Sequence, residues 1–271
     1  MFDRLFVHTP YHFLKDSLDE TLVNLVKFKL APEIYFSALN LEELALDRRP
    51  LEQAAARLAE QGLPCSFHGP FLDLSPAGYD PRIVAVTRER FQALFALARI
   101  CKPEVIVLHS GYERWRFNLN INLWLEQSLA FWRPLLSQVE DLGTVLAIEN
   151  IFETTPGGLR MLFDEIASPV FGGCFDIGHW HLFGEMDLSE WLGLLKKHII
   201  AFHLHDNRGR FDDHMVPGDG LINFAALKSL ARSHNIKALV HTFELHQRSQ
   251  LQRGVEWFKN NNLWVSTTDG I

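Results

Sequence analysis

The strongest constraint on the fold is a regular alternation of two kinds of segment along the sequence. Short apolar runs of strand length alternate eight times with longer segments of helical periodicity. The predicted strands are Leu5–Pro10, Glu33–Leu39, Pro64–Pro70, Val105–Tyr112, Val145–Ile151, Phe171–Gly178, Ile199–Asp206 and Ala238–Leu245. The fourth, fifth and seventh strands are nearly continuous apolar runs, which is typical of parallel strands that are covered on both faces.

The segments between these strands are predicted to be helices. They cover Asp16–Lys29, Leu51–Gln61, Pro81–Cys101, Asn122–Leu142, Gly158–Ala167, Leu188–Lys197, Phe224–His234 and Gln250–Asn260, and Val265–Ile271 is expected to be a loose end. Eight β–α units without a linker or a break in composition predict an α/β fold, a closed (β/α)8 TIM barrel that forms a single domain over residues 1–271. An open doubly wound sheet is the alternative, but no GxGxxG motif follows the first strand.

Composition and charge narrow the class of protein. Of the 271 residues, 47% are hydrophobic and 22% are charged, which is enough for one large core. The formal net charge is −7 without a Lys/Arg-rich run, so a broad nucleic-acid-binding face is not expected. Three cysteines without a CxxC motif, no signal peptide in MFDRLFVHTP and no apolar run near the roughly 18 residues of a membrane span predict a cytoplasmic protein.

Histidine and acidic side chains recur where the predicted strands end. In a (β/α)8 barrel these ends meet at one mouth, where active sites lie. The residues are His68, His109, Glu149, Asp176, His179, His203, His205, Asp206, Glu244 and His246, and the loop after the seventh strand adds Asp212 and His214. A lone histidine in such a place is usually a hydrogen-bonded structural residue, but so many buried ionisable groups would cost several kcal/mol per unpaired charge. A bound cation would offset that cost, and nitrogen and oxygen donors suit zinc, manganese or a related divalent metal.

The spacing of these residues adds detail to the metal hypothesis. Asp176 and His179 lie three residues apart in FDIGHWH, and Gly178 is expected to let the chain turn so that both converge. His203 and His205 share one face of the seventh strand, with His205 one step further out. The loop that follows carries Arg208 and Arg210, which are candidates with His205 for binding the substrate or its phosphate.

Seven short motifs, in this order and spacing, identify a family resemblance. They are HGPF at His68–Phe71, LHSG at Leu108–Gly111, IEN at Ile148–Asn150, FDIGH at Phe175–His179, HLHDN at His203–Asn207, DDHMVPGDG at Asp212–Gly220 and FELH at Phe243–His246. The chain resembles, over essentially its whole length, the xylose isomerase-like TIM barrel superfamily. That superfamily contains sugar isomerases and epimerases together with endonuclease IV, the enzyme of AP endonuclease family 2.

The resemblance implies two alternative metal sites. Endonuclease IV holds three zinc ions with nine ligands, and matching residue types stand at His68, His109, Glu149, Asp176, His179, His203, Asp212, His214 and Glu244. The sugar-converting branch generally uses one metal at a smaller set, here Glu149, Asp176, His203 and Glu244. The expected cofactor is therefore a divalent metal, zinc or manganese, with one to three ions per chain.

The same comparison separates the candidate reactions. In a sugar isomerase or epimerase, Glu149 and Glu244 would move a proton beside a metal-bound substrate. In a multinuclear zinc phosphoester hydrolase, Glu149 would bridge two metals. Residues 37–47 contain three acids and no Lys or Arg where endonuclease IV contacts DNA, so we expect a small sugar or sugar-phosphate substrate and no nucleic-acid partner.

Three further expectations complete the sequence prediction. Phe71 and Leu72 are predicted to line the cavity or core, although a minor-groove binder could use such residues as a wedge. A lyase or dehydratase, and a non-enzymatic metal-binding protein, are kept as alternative functions. The aromatic content is compatible with a homodimer, and no membrane association is expected.

Overall fold

Eight parallel strands close into a barrel in the computed structural model, which describes residues 5–261. The strands are β1 (Leu5–Pro10), β2 (Ala31–Tyr35), β3 (Ser66–His68), β4 (Val105–His109), β5 (Val145–Glu149), β6 (Phe171–Asp176), β7 (Ile199–Leu204) and β8 (Val240–Phe243). Closure is made by β1 and β8, where Leu5 pairs with His241 and Val7 with Phe243. The predicted (β/α)8 barrel is confirmed, and the open-sheet alternative is wrong.

Helices connect the strands around the outside of the barrel. They are α1 (Tyr11–Asp16), α2 (Leu18–Phe28), α3 (Ala38–Leu46), α4 (Arg49–Glu60), α5 (Pro81–Cys101), α6 (Ile121–Trp132), α7 (Leu136–Leu142), α8 (Gly157–Ile166), α9 (Ile177–Phe183), α10 (Leu188–Leu195), α11 (Phe224–Ser233) and α12 (Leu251–Asn261). None of the helices in residues 5–261 is long and apolar enough to cross a membrane. The predicted loose end at 265–271 lies outside the described residues.

Several predicted strands are too long because short helices begin directly after the observed ones. Asp176 ends β6 and caps α9 by accepting a hydrogen bond from the backbone N–H of His179 at 2.7 Å. Ser37 caps α3 in the same way, in a capping box with Asn40. The predictions placed both segments in strands or loops, and α1, α3 and α9 were absent from them.

The strands carry two apolar layers. The inner layer consists of Phe6, Ala31, Val105, Val107, Ala147, Cys174, Ala201 and Val240. Their neighbours along the same strands, such as Val7, Ile106 and Leu146, belong to the larger cluster that includes the helices. Since side chains alternate along a strand, the first set fills the barrel and the second packs under the helices.

A polar layer lies directly beyond the inner apolar one. Seven strands carry a polar residue two positions after a member of that inner layer, namely His8, Glu33, His109, Glu149, Asp176, His203 and Thr242. Because residues i and i+2 share a face, all seven point into the barrel toward its carboxyl-terminal mouth. The polar side chains at the mouth of the barrel therefore lie on a layer of apolar side chains that fills its interior.

Candidate active site

The centre of the barrel mouth is a group of four buried side chains from the ends of β5, β6 and β7 and from just beyond β8. Glu149, Asp176, His203 and Glu244 each place one ligand atom within 4.8 Å of the others. His203 Nδ1 lies 3.4 Å from Glu149 Oε1, 3.5 Å from Glu244 Oε1 and 3.8 Å from Asp176 Oδ2. We call these four residues the inner group.

The inner group fits a divalent cation. Glu149 Oε1 and His203 Nδ1 are buried and have no hydrogen-bond partner within residues 5–261, although they face each other. Burial opposes the charge of His203, yet Glu244, Glu33 and Glu149 raise the pKa of its imidazole well above the usual range. Burial likewise favours the neutral acid, yet His203 lowers the pKa of Glu149 and of Glu244 well below the usual range. Three carboxylates around one imidazole are a donor set that a divalent metal would stabilise.

Glu33 supports the inner group from below and was not predicted as a site residue. Its Oε1 lies 3.0 Å from His203 Nε2, and both side chains are fully buried. The two atoms form an ion pair whose geometry does not meet that of a hydrogen bond, since neither atom makes a hydrogen bond among the described residues. The other carboxylate oxygen accepts hydrogen bonds from the hydroxyls of Ser66 at 3.1 Å and Thr242 at 2.8 Å. Glu33 thereby leaves Nδ1 as the atom with which His203 faces the inner group.

A second ligand group shares Glu149 with the first. His68 Nε2 lies 3.2 Å from Glu149 Oε2, and His109 Nε2 lies 3.4 Å from the same oxygen. Burial opposes the charge of His68, but Glu149 raises the pKa of this histidine above its usual value. Burial lowers the pKa of His109. The two oxygens of Glu149 therefore face different groups, which is the arrangement of a bridging carboxylate.

A third group gathers at the ends of β6 and β7. His179 Nε2 lies 3.3 Å from Asp212 Oδ2, and His214 Nε2 lies 3.0 Å from the same oxygen. Burial opposes the charge of His214, but the Asp212 carboxylate raises the pKa of His214 to about 9. Burial also opposes the charge of Asp212, but hydrogen bonds from His179 and His214 hold the pKa of this carboxyl far below its usual range. His205 completes the group as a fourth ligand candidate within 4.8 Å.

His205 lies behind the site rather than at its surface. Its Nε2 is 3.1 Å from both carboxylate oxygens of Asp176, and its ring stacks on His214 at 4.0 Å. Gly178 makes this position available, because a Cβ there would lie 2.0 Å from the His205 ring. The expectation that Gly178 serves a turn is therefore wrong, since the residue is helical and what it provides is space.

The loop that carries Asp212 and His214 is organised by one buried carboxylate. Asp206 accepts four backbone hydrogen bonds at 2.9–3.1 Å. The donors are the N–H groups of Asn207, Gly218, Gly220 and Ile222. Gly220 has to be glycine, because a Cβ would lie 2.3 Å from the Asp206 carboxylate. His214 itself has a positive φ of 46°, so the loop holds this ligand candidate in a conformation that needs such support.

A cavity of about 1440 Å³ opens above the three groups. Seven of the nine predicted ligands line it, namely His68, His109, Glu149, His179, Asp212, His214 and Glu244. Asp176 and His203 lie beneath the cavity surface, fully buried. Within the inner group, only the two glutamates therefore reach the space that a substrate would occupy.

The three predicted substrate-binding residues are placed away from this cavity. Arg208 and Arg210 are exposed and are outside the set of residues that line it. His205 is fully buried beneath it. The structure therefore does not bring Arg208 and Arg210 to the place where the other predicted site residues meet, whereas His205 lies among them in the third ligand group.

Two further histidines line the cavity outside the predicted ligand and substrate-binding residues. His8 was not predicted, whereas His246 was expected at the end of the eighth strand without a role, and its ring stacks on that of His214 at 3.8 Å. Burial lowers the pKa of His8 to about 3, and its Nδ1 has no hydrogen-bond partner in the described part of the chain. The alternation along β1 could have identified His8, because it follows the inward-facing Phe6 by two residues. Phe71 and Leu72 line the cavity as predicted.

The structure is a (β/α)8 barrel with a cluster of His, Asp and Glu side chains at its mouth that could hold a metal ion. The chain belongs to the xylose isomerase-like TIM barrel family, whose family model matches residues 31–261. This agrees with the superfamily resemblance that the motifs indicated.

Individual relatives extend this comparison. The uncharacterized protein MJ1311 of Methanocaldococcus jannaschii is 31% identical over 164 residues, which are 58% of this chain and 56% of that protein. The chain thus spans little more than half the length of this curated relative. The crystal structure of a D-tagatose 3-epimerase-like protein is similar with a TM-score of 0.80 and 23% identity, covering 96% of this chain and 97% of that one. The TTHB071 protein of Thermus thermophilus, soaked with ZnCl2, has a TM-score of 0.76 and 25% identity, covering 95% and 97%.

Proposed function

We propose that this protein, as one domain over residues 1–271, is a divalent-metal-dependent isomerase or epimerase of a small sugar or sugar phosphate. The observation that carries the proposal is the division within the inner group. Glu149 and Glu244 line the cavity, whereas Asp176 and His203 are buried beneath it. Two carboxylates that face a substrate, held over a site for a metal, are the groups that proton removal and return require.

The roles of the residues follow from their positions. Glu149, Asp176, His203 and Glu244 would hold the metal, which when bound supplies a Lewis acid for the carbonyl and hydroxyl oxygens of the substrate. One of the two glutamates takes a proton from the carbon next to the carbonyl. The other returns a proton to the opposite face of that carbon, or to the neighbouring carbon, because the two come from β5 and from just beyond β8. Asp176 and His203 keep the glutamates in place.

Two of the comparisons support this proposal. The shared fold of a D-tagatose 3-epimerase-like protein is in keeping with a sugar substrate. The likeness to a protein studied after soaking in ZnCl2 is in keeping with a divalent metal at the barrel mouth.

The proposal is tested by proton exchange. Protein purified without chelators is incubated in D2O with a panel of ketoses, aldoses and their phosphates, and deuterium in the sugar is measured by NMR. Glu149→Gln and Glu244→Gln are expected to lower the exchange rate by roughly 10²–10⁴-fold. Glu113→Gln is the matched control, since Glu113 lines the cavity outside the three ligand groups. Full exchange by both glutamine variants would refute the assignment.

A second candidate function is a multinuclear zinc phosphoester hydrolase. The observation in its favour is that His68 and His109 gather at Glu149, and His179 and His214 at Asp212, which exceeds what one metal needs. The metal content of protein purified without chelators separates the two functions. Three zinc ions per chain, together with cleavage of a duplex that contains an abasic site, would establish the hydrolase. One ion, with metal retained in Asp212 and His214 variants, would exclude it.

Two structural features argue against a nucleic-acid substrate and against a non-enzymatic metal-binding protein. The acidic segment after β2 forms α3, and Ser37 and Asn40 from its start line the cavity. This wall offers no cation to a nucleic-acid backbone. A non-enzymatic metal-binding protein would be favoured by a mouth filled with side chains, whereas the observed mouth contains a cavity of about 1440 Å³.

A further inference from the structure

The cavity is larger than a small sugar requires. Pockets of roughly 300–1,000 Å³ usually hold a drug-sized ligand, and this one measures about 1440 Å³. Residues of the three ligand groups line one side of the cavity. The rest extends along the loops at residues 69–80 and 110–120 and along the segments that follow β5 and β6.

Large apolar side chains line this additional space. We call them the outer lobe: Leu72, Tyr79, Ile83, Tyr112, Phe152 and Phe183. Tyr79 and Tyr112 both stack on Phe117, at 5.6 and 6.1 Å, so their ring positions are supported from behind. Phe152 packs edge-on against Phe183 at 5.1 Å.

Part of the outer lobe is strongly exposed. Leu72 is 70% exposed and Tyr79 is 53% exposed, although both belong to a cavity wall. Apolar side chains that are left open to water at the edge of a cavity mark a surface that a ligand covers. Because the outer lobe and the two glutamates of the inner group line the same cavity, the substrate itself is the ligand expected to cover the outer lobe.

The charges of the cavity select against a phosphate in this space. In the described part of the chain, Arg116 is the single Lys or Arg side chain that lines the cavity. Its guanidinium is already paired with Glu113 at 2.5 Å. Asp73 lines the same region and adds negative charge. A phosphate placed away from the metal-ligand groups would therefore find acidic side chains and one engaged cation.

We propose that the outer lobe binds an uncharged apolar or aromatic substituent of the sugar substrate, such as the aryl group of an ether at a hydroxyl away from the carbonyl. This inference rests on the proposed function, because it takes the sugar to lie over Glu149 and Glu244. It narrows the substrate class from sugars and sugar phosphates to neutral sugar derivatives that carry an apolar group. Stacking of that group on Tyr79 or Phe152 would exclude water from the mouth.

The experiment is a binding series on the full chain, purified without chelators. Titration calorimetry compares O-benzyl ethers of common hexoses and pentoses, in which the carbonyl carbon stays free, with the matching free sugars, sugar phosphates and disaccharides. At least one benzyl ether is expected to bind about tenfold more tightly than its free sugar. The matching sugar phosphate is expected to bind no more tightly than the free sugar.

Variants locate the gain in affinity. Tyr79→Ala and Phe152→Ala are expected to remove it, so that the benzyl ether binds no more tightly than the free sugar to the same variant. Trp115→Ala is the matched control, since Trp115 belongs to the same loop as Tyr112, is 73% exposed and is outside the cavity lining. A gain that survives both substitutions together would place the benzyl group elsewhere and overturn the inference.

The other possible results also decide between the proposals. If every benzyl ether binds no better than its free sugar, or if only phosphates or disaccharides bind more tightly, the outer lobe does not bind an apolar substituent. Affinity is measured separately from proton exchange, so the two proposals fail separately. A protein without proton exchange that still prefers benzyl ethers refutes the proposed function alone, and an active epimerase without this preference refutes the inference alone.

Discussion

The carboxylate of Glu33 on β2 lies 3.0 Å from Nε2 of His203 on β7, with both side chains fully buried. This contact leaves Nδ1 of His203 to face Glu149 and Glu244. Partners of this kind orient a metal-ligating histidine and raise its basicity. Glu33→Gln is therefore expected to lower the affinity of the inner group for zinc or manganese by roughly 10–100-fold, as measured by competition with a chelator.

The matched control for Glu33 is Glu42→Gln. Glu42 pairs with Arg90 at the surface, so its substitution is expected to leave metal affinity unchanged. Unaltered metal affinity in Glu33→Gln would show that the inner group orients His203 without Glu33.

Asp206 is expected to control the third ligand group through the loop. In Asp206→Asn, an amide N–H₂ replaces one oxygen that accepts two backbone hydrogen bonds. The N–H₂ group would then face two backbone N–H donors without an acceptor between them. The free energy of unfolding should fall by about 3 kcal/mol, and metal held by Asp212 and His214 should be lost before metal held by the inner group. Chemical denaturation and metal analysis measure the two effects. Asp213→Asn, at an exposed position of the same loop, should change neither.

Gly178 is expected to be intolerant of even one methyl group. In Gly178→Ala the Cβ would lie 2.0 Å from the His205 ring, so His205 would have to leave Asp176. The free energy of unfolding should fall by about 2–3 kcal/mol, as for other overpacked sites. Gly157→Ala is the control, because a Cβ there meets only the Thr155 hydroxyl at 3.9 Å. Equal stability of the two variants in denaturant titrations would contradict the steric account.

Glu153, which lies outside the three ligand groups, gives the protein a pH dependence through its burial. Burial raises the pKa of Glu153 to about 7, even though its carboxyl group contacts the Ser110 hydroxyl and the Ile151 backbone N–H. Between about pH 4.5 and pH 7, the folded protein keeps this proton while the unfolded chain releases it. The free energy of unfolding therefore falls as pH rises through this window, by about 3 kcal/mol for a shift of this size.

Glu153→Gln should remove that loss, because the amide is neutral at every pH. At pH 8 the variant is expected to be more stable than the wild type, and below about pH 4.5 the difference should vanish. Denaturation at a series of pH values measures both. A variant that is less stable at pH 8 would show that the carboxylate is charged and satisfied in the folded protein.

The sequence predicts most of the barrel because the barrel depends on local patterns. The observed bounds of β1 and α5 agree residue for residue with the prediction, the latter because Pro81 follows the capping Asp80. The short helices α1, α3 and α9 were missed because they span six to nine residues. Segments that short show too little periodicity to be distinguished from the end of a strand.

The residue types of the site could be predicted from the sequence, but the burial of each site residue could not. The strand ends, the loop after the seventh strand and the family resemblance together predicted nine ligand candidates, and the structure gathers all nine into groups. Which of them reach the cavity depends on packing in three dimensions, so the burial of Asp176 and His203 could not be foreseen. Arg208 and Arg210 were chosen because they are close in sequence, and the loop that Asp206 anchors leaves both exposed.

The outer lobe and the inner group come from different kinds of structure. The inner group comes from the ends of β5, β6 and β7 and from Glu244 just beyond β8, and the hydrogen-bonded register of these strands fixes its position. Much of the outer lobe comes from loops, where insertions and substitutions are better tolerated. The two parts can therefore diverge independently. Exchange of residues 69–80 and 110–120 between relatives should transfer substrate preference while the metal chemistry is inherited unchanged.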